Sequence, residues 1–244
     1  VVERFLTLCG TLALQGTALE WVGHHRMHHA GSDTPKDPHD ANRGFWWSHM
    51  GWLFFHKPEF DEVSKLKRFG RDIVNDPGLN FISQHWFMIG LQVALGVALL
   101  AFGGMEYMMW GIWVRLVVVY HVTWFVNSLT HSAGYQNFPS DDLSRNNWFV
   151  ALVSFGEGWH NNHHANPNWA PNGLKWWEFD LTWQVIRLME RCGLVWDVVR
   201  PPEDVFATDP LEEVLHAAAE GAGKYQFGDR ALGPLWLRLG GHSF

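Results

Sequence analysis

Residues 77–105, PGLNFISQHWFMIGLQVALGVALLAFGGM, contain no Asp, Glu, Lys or Arg. From about His85 to Phe102 the run is long enough to cross a hydrocarbon core of ~30 Å as a helix. Gly103-Gly104-Met105-Glu106 then interrupts it, and a second apolar run follows, YMMWGIWVRLVVVYHVTWFVNS, broken by Arg115 and His121. Two long apolar segments joined by so short a link predict a tight transmembrane hairpin. Arg115 is then expected to face protein, water or a partner group, because a bare cation in lipid is costly. A buried hairpin in a soluble protein is the other reading of this pattern. The 16 tryptophans favour the bilayer, since tryptophan collects where hydrocarbon meets water.

This hairpin organises the rest of the chain. The fold class it implies is an all-α membrane helical protein, with one transmembrane hairpin and a histidine-rich helical cap. Residues 1–76 form a helical segment on one side, 77–126 the hairpin, 127–200 a second segment on that same side, and 201–244 a tail. Lys57, Lys65, Lys67, Arg68 and Arg71 precede the hairpin, Arg145, Lys175, Arg187 and Arg191 follow it, and the link between its arms has no basic residue. The positive-inside rule therefore places both flanking segments on the cytoplasmic or stromal face. Phe5–Leu19 is too short for a span and reads as an interfacial or buried helix. The charged stretch HKPEFDEVSKLKRFGRD (56–72) reads as a surface helix, and LEEVLHAAAE (211–220) as a short helix in the tail. The opening VVERFLTLCG has no methionine and no signal-peptide pattern, and reads as the middle of a longer protein. A net charge of −7 without a basic stripe argues against nucleic acid as a partner. Cys9 and Cys192 have no metal-type spacing, which leaves imidazole as the ligand chemistry to weigh.

Imidazole is abundant. His25, His28 and His29 stand at i, i+3 and i+4, and so do His160, His163 and His164. On a helix such positions share a face, so each H-x-x-H-H box can aim three rings at one point. An even number of spans between the boxes returns both to the same side. Asn127 and His131 close the second apolar run at i, i+4, adding a seventh imidazole, with Asn127 near the metal directly or through water. Seven rings exceed one zinc site, which closes with four ligands or keeps three and a water. Two metals are the economical reading. All-nitrogen ligation suits Zn, Cu, Fe or Ni; of these, two irons would allow reductive activation of O₂.

The motifs EWVGHHRMHH, SDTPKDPHD, RGFWWSHMGW, HVTWFVNSLTH, GEGWHNNHHA and WWEFDLTW, in this order over roughly residues 1–185, resemble the membrane fatty acid desaturases of the stearoyl Δ9 type. Their wording is closest to bacterial, cyanobacterial and plant members. The resemblance implies a di-iron centre held by His25, His28, His29, His131, His160, His163 and His164, with Asn127 contacting a metal through water. It implies O₂ as co-substrate, cytochrome b5 or ferredoxin as electron donor, and an acyl-CoA or acyl-lipid substrate that gains a cis double bond. It also implies an upstream H-x4-H box and two more spans before this chain begins, so the segment alone is expected to be inactive. Gly23 falls where animal acyl-CoA members tend to be charged, which disfavours CoA.

Metal-bound imidazoles usually donate their second N–H to a carboxylate or carbonyl. Glu20, Asp33, Asp37, Glu157 and Asp180 lie near the motifs and are candidates for that task. His39, His49 and His121 are candidates for structural or supporting roles beside the metal. Trp46, Trp47, Trp52, Trp124 and Trp159 line either an acyl channel or a membrane-interface belt. The competing readings are a fatty acid or alkane hydroxylase with related boxes, a membrane metal-binding or transport protein, and a non-catalytic relative.

Overall fold

The computed structural model describes residues 1–55, 57–202 and 205. The helix expected at 211–220 and two isolated histidines of the sequence, His56 and His242, lie outside the described residues. Among those described, all regular structure is helical, apart from isolated antiparallel bridges joining Tyr135 to Asn146 and Asn146 to Trp159.

Helix α1 (Val2–Thr11) ends earlier than the apolar run predicts. Leu14 (φ 52°) and Gly16 (φ 87°) take left-handed conformations, and the chain restarts as α2 (Ala18–Gly31) behind a capping box. Thr17 Oγ1 accepts from the Glu20 N–H at 3.3 Å, while the Glu20 carboxylate accepts from the Thr17 N–H at 2.8 Å, satisfying donors that a helix start leaves bare. The short helix α3 (Phe45–His49) follows. Where one surface helix is expected over 56–72, three are found between residues 58 and 75: α4 (Pro58–Asp61), α5 (Val63–Phe69) and α6 (Arg71–Asn75). Gly70 divides the last two, and Phe60, Leu66 and Ile73 are buried. Met27 of α2 packs with Phe60 and Leu66 in one apolar cluster. Arg26 grips α6 through a bidentate pair with Asp72 at 2.6 and 2.8 Å. Gly23 marks the close approach of α2 and α5: a Cβ there would lie 2.8 Å from Leu66 Cδ2. Its smallness thus has a packing cause.

After α7 (Pro77–Ile82) comes the apolar stretch His85–His131, 47 residues, whose most apolar 18-residue part has a mean hydropathy of 2.0 and is only 6% buried. It contains α8 (His85–Met108), a π-helical turn (Met109–Val114) and α9 (Arg115–Ser128). Taken as one rod it would run about 70 Å at 1.5 Å per residue. It is instead folded back at Gly104, whose φ of 71° and ψ of −167° leave the helical region. The contacts pair symmetrically about that point. Arg115 Nη2 donates to Gln92 Oε1 at 3.3 Å, and a Cβ on Gly111 would lie 2.6 Å from Leu99 Cδ1. This is the predicted hairpin, with one arm of roughly 28 Å before the turn. Trp86, Val93, Val97, Trp110, Trp113 and Val117 are exposed on it, an outer surface fit for lipid. Arg115 faces protein as expected, and Gln92 passes the contact on to the Leu12 carbonyl at 2.9 Å.

Beyond α9, a 3₁₀ turn (Leu129–His131) leads into an irregular loop. The helices α10 (Trp148–Val153), α11 (His160–Ala165) and α12 (Leu181–Arg191) follow. The bridges at Asn146 draw residues 135, 146 and 159 together just ahead of α11.

Candidate metal centre

Three separated segments bring seven imidazoles into one cluster. The α2 box supplies His25, His28 and His29, the turn after α9 supplies His131, and α11 supplies His160, His163 and His164. They divide into two groups, His28, His131, His160 and His164 in one, and His25, His29 and His163 in the other. Within each group the nitrogens available as ligands lie within 4.8 Å of one another. In the first group His28 Nε2 is 3.2 Å from His164 Nε2, and His160 Nε2 is 3.1 Å from His131 Nε2. In the second, His29 Nε2 is 3.2 Å from His25 Nε2 and 3.0 Å from His163 Nε2. The groups abut, with the His29 and His164 ring centroids 4.4 Å apart.

Three of the four outer nitrogens in the first group are held by carboxylates. Asp37 meets His28 Nδ1 at 2.8 Å, Asp33 meets His131 Nδ1 at 2.9 Å, and Asp142 meets His164 Nδ1 at 2.7 Å. Burial pushes the Asp142 carboxyl up, but donors from His164 and Ser144 outweigh it and hold the group well below the usual carboxylate range. At Asp33 burial is likewise opposed, by His131 and by the Leu143 and Ala41 N–H groups, and the net shift is downward. An ionised carboxylate accepts only, so the protons of His131 and His164 sit on Nδ1 and each Nε2 turns a lone pair into the cluster. Lone pairs converging in a buried space call for a cation between them.

At five of the rings, protonation does not supply that cation. Burial, reinforced by neighbouring imidazoles, lowers His25 to about 4, His29 to about 2 and His163 to about 3, and pushes His28 and His160 well down. His160 Nδ1 is buried without a partner. Neutral, nitrogen-only ligands with fixed outer hydrogen bonds suit a transition metal.

Other predicted residues fall in varied places. Asn127 is half-buried one helical turn before His131. His39 is buried against His28, ring centroids 4.3 Å apart, and with Asp37 and His28 it forms a third group of ligand atoms. Burial raises Asp37 to about 7, a penalty that a cation on His28 would offset. Glu20, Glu157 and Asp180 are engaged away from the cluster. Glu20 caps α2 and meets His85 at 3.1 Å. Glu157, raised to about 7 by burial and by Asp180, lies beside Asn172. Asp180 caps α12 and accepts the Asn172 and Gly173 N–H groups.

His49 and His121 pair with each other at 3.0 Å, and His49 also meets Ser128 Oγ at 2.9 Å. They tie α3 to α9 and back no ligand imidazole. Trp124 packs on this pair. Trp46 is exposed, Trp47 lies under the Arg43 guanidinium, and Trp52 lies against His39. Trp159 is buried in the fold, its indole N–H on the Phe179 carbonyl at 3.0 Å. Sequence reasoning missed Asp142. It sits in the irregular stretch PSDDLSRNN, where no periodicity separates it from Asp141.

A model of the fatty acid desaturase family matches residues 2–195. The chain belongs to the fatty acid desaturase family. It is 52% identical over 206 residues to an sn-1 stearoyl-lipid 9-desaturase of Synechocystis sp., covering 84% of this chain and 63% of that protein. To an sn-1 stearoyl-lipid 9-desaturase of Anabaena variabilis it is 52% identical over 197 residues, covering 81% of this chain and 71% of the relative. An icosanoyl-CoA 5-desaturase of Limnanthes douglasii is 44% identical over 208 residues, with 83% and 56% covered. The chain thus spans less than two thirds of the length of some relatives it matches. All seven imidazoles lie inside the part that the desaturase model matches.

Proposed function

We infer that this chain forms the greater part of an O₂-dependent acyl desaturase that places a cis double bond at position 9 of a stearoyl chain carried on a membrane lipid. The observation carrying the reading is the convergence of seven imidazoles from three segments, with paired Nε2 atoms 3.0–3.2 Å apart. His28, His131, His160 and His164 would hold one iron, with Asn127 near it, and His25, His29 and His163 the other. A di-iron pair supplies the oxidising power, drawn from O₂ and two external electrons, that removing hydrogen from an unactivated methylene pair requires. The side chains of this protein hold and orient. Asp33, Asp37 and Asp142 fix ring tautomer and direction, and burial keeps His25, His28, His29, His160, His163 and His164 neutral and able to bind. The hairpin sets this cluster beside the hydrocarbon where the acyl chain lies. Lipid as carrier and position 9 rest on the names of the two relatives at 52% identity; the Limnanthes protein, named for an acyl-CoA, is more distant. The electron donor is cytochrome b5 or ferredoxin, and the site faces the cytoplasm or stroma.

The test is expression of the full-length protein in a desaturase-deficient host, followed by double-bond mapping of its lipids. A new cis-9 monoene on lipid-bound C18 chains is expected, and His163→Ala should abolish it while the protein stays in the membrane. A hydroxylated chain in place of the alkene, or product retained in His163→Ala, overturns the reading.

A further inference from the structure

Helix α11 is only six residues long, too short to set its own direction, yet its rotation decides where three imidazoles go. His160 and His164 enter one histidine group and His163 the other. A rotation by one residue, about 100°, would empty both. The opposite side of α11 carries Asn162, whose amide is saturated. Its oxygen accepts from Asn137 Nδ2 at 2.8 Å and Asn146 Nδ2 at 2.9 Å, and its nitrogen donates to the Asn172 carbonyl at 2.7 Å and to Glu178 Oε2 at 2.9 Å. That fills two acceptor and two donor positions, the whole capacity of the group.

Glu178 is the centre of this arrangement. It is 3% exposed, and its carboxylate accepts five hydrogen bonds. Oε1 takes the Tyr135 hydroxyl at 2.5 Å and Asn137 Nδ2 at 2.7 Å. Oε2 takes Asn162 Nδ2 and the backbone N–H groups of Leu174 and Lys175 at 2.8 and 3.0 Å. One carboxylate therefore joins the loop after the hairpin, α11 and the loop before α12. Nearby Asn161 adds a second anchor, accepting the Asn137 and Phe138 N–H groups at 2.8 and 2.9 Å.

We propose that Glu178 is the positioning residue of the HNNHH box: through the amide of Asn162 it fixes the rotation of α11, so that His160 and His164 face one metal and His163 the other. This rests on the reading of the two histidine groups as metal sites. The test is Co²⁺ binding to full-length protein stripped of metal, followed by the visible d–d spectrum. Glu178→Gln keeps the shape and places an amide NH₂ against donors. Glu178→Asp keeps the charge and withdraws the carboxylate from Asn162. Arg4→Ala, which breaks the Arg4–Asp76 pair far from α11, is the control for a general loss of stability.

Glu178→Gln is expected to weaken Co²⁺ binding about tenfold or more and to change the spectrum. Glu178→Asp should give a smaller shift of the same kind, and Arg4→Ala the wild-type spectrum. Wild-type affinity and spectrum in either folded Glu178 variant overturn the proposal, even if thermal stability falls. Should Glu178→Gln fail to fold, Glu178→Asp decides by the same criterion. A wild-type protein that takes up no metal overturns the underlying metal reading, and the positioning role with it.

Discussion

At the scale of single residues the site works by fixing protons. His164 can offer Nε2 to a metal only while its proton stays on Nδ1, and Asp142 at 2.7 Å keeps it there. Asparagine at this position can still accept from Nδ1–H, but it loses the charge and can equally present its NH₂, which would drive the proton to Nε2 and remove the ligand. Asp142→Asn is therefore expected to lower metal affinity by about 10–100-fold, as read by metal content after dialysis against a competing chelator, with little change in helical circular dichroism. Wild-type metal retention would show that this carboxylate does not set the tautomer. The contrast with what the sequence offers is instructive. The histidine boxes are legible because i, i+3, i+4 spacing on one helix is a local fact. Asp142 and His164 are brought together by an irregular loop, and Glu178 reaches Asn162 across another. Neither pairing leaves a period to read.

At the scale of elements, the same distinction separates what could be anticipated from what could not. The hairpin was readable because a Gly-Gly link between two long apolar runs leaves few other conformations, and Gly104 takes the positive φ that the reversal needs. The break between α1 and α2 was not read from hydropathy, because the apolar run continues through it. Its signature is chemical: Thr17-Ala18-Leu19-Glu20 is a capping box. That box sets where α2 begins and hence the face on which His25, His28 and His29 emerge. Thr17→Ala is expected to destabilise the protein by about 1 kcal/mol, seen as a lower unfolding midpoint in detergent. Glu20→Gln should be milder, since glutamine at the third helical position can still accept from the cap N–H. Equal losses in the two variants would contradict the box as the organising feature.

At the scale of the whole molecule, the site depends on the hairpin returning to the side from which it starts. The segments before and after it, which carry His28 and His164, then meet on one face. The distribution of basic residues, five in residues 57–71 and none in the link between the arms, predicts that both segments lie on the inner face. Two positions report this directly. Glu106 is exposed beside the reversal at Gly104, and Cys192 is exposed immediately after α12. In sealed cells, a membrane-impermeant maleimide should label Glu106→Cys in a variant otherwise free of cysteine. It should reach Cys192, as the only cysteine, after permeabilisation alone. Labelling of both positions from outside would mean that the hairpin dips into the bilayer without crossing it. Labelling with the order reversed would keep the hairpin and the shared face of the two boxes, but would place the metal cluster on the side opposite to that expected from the positive charges.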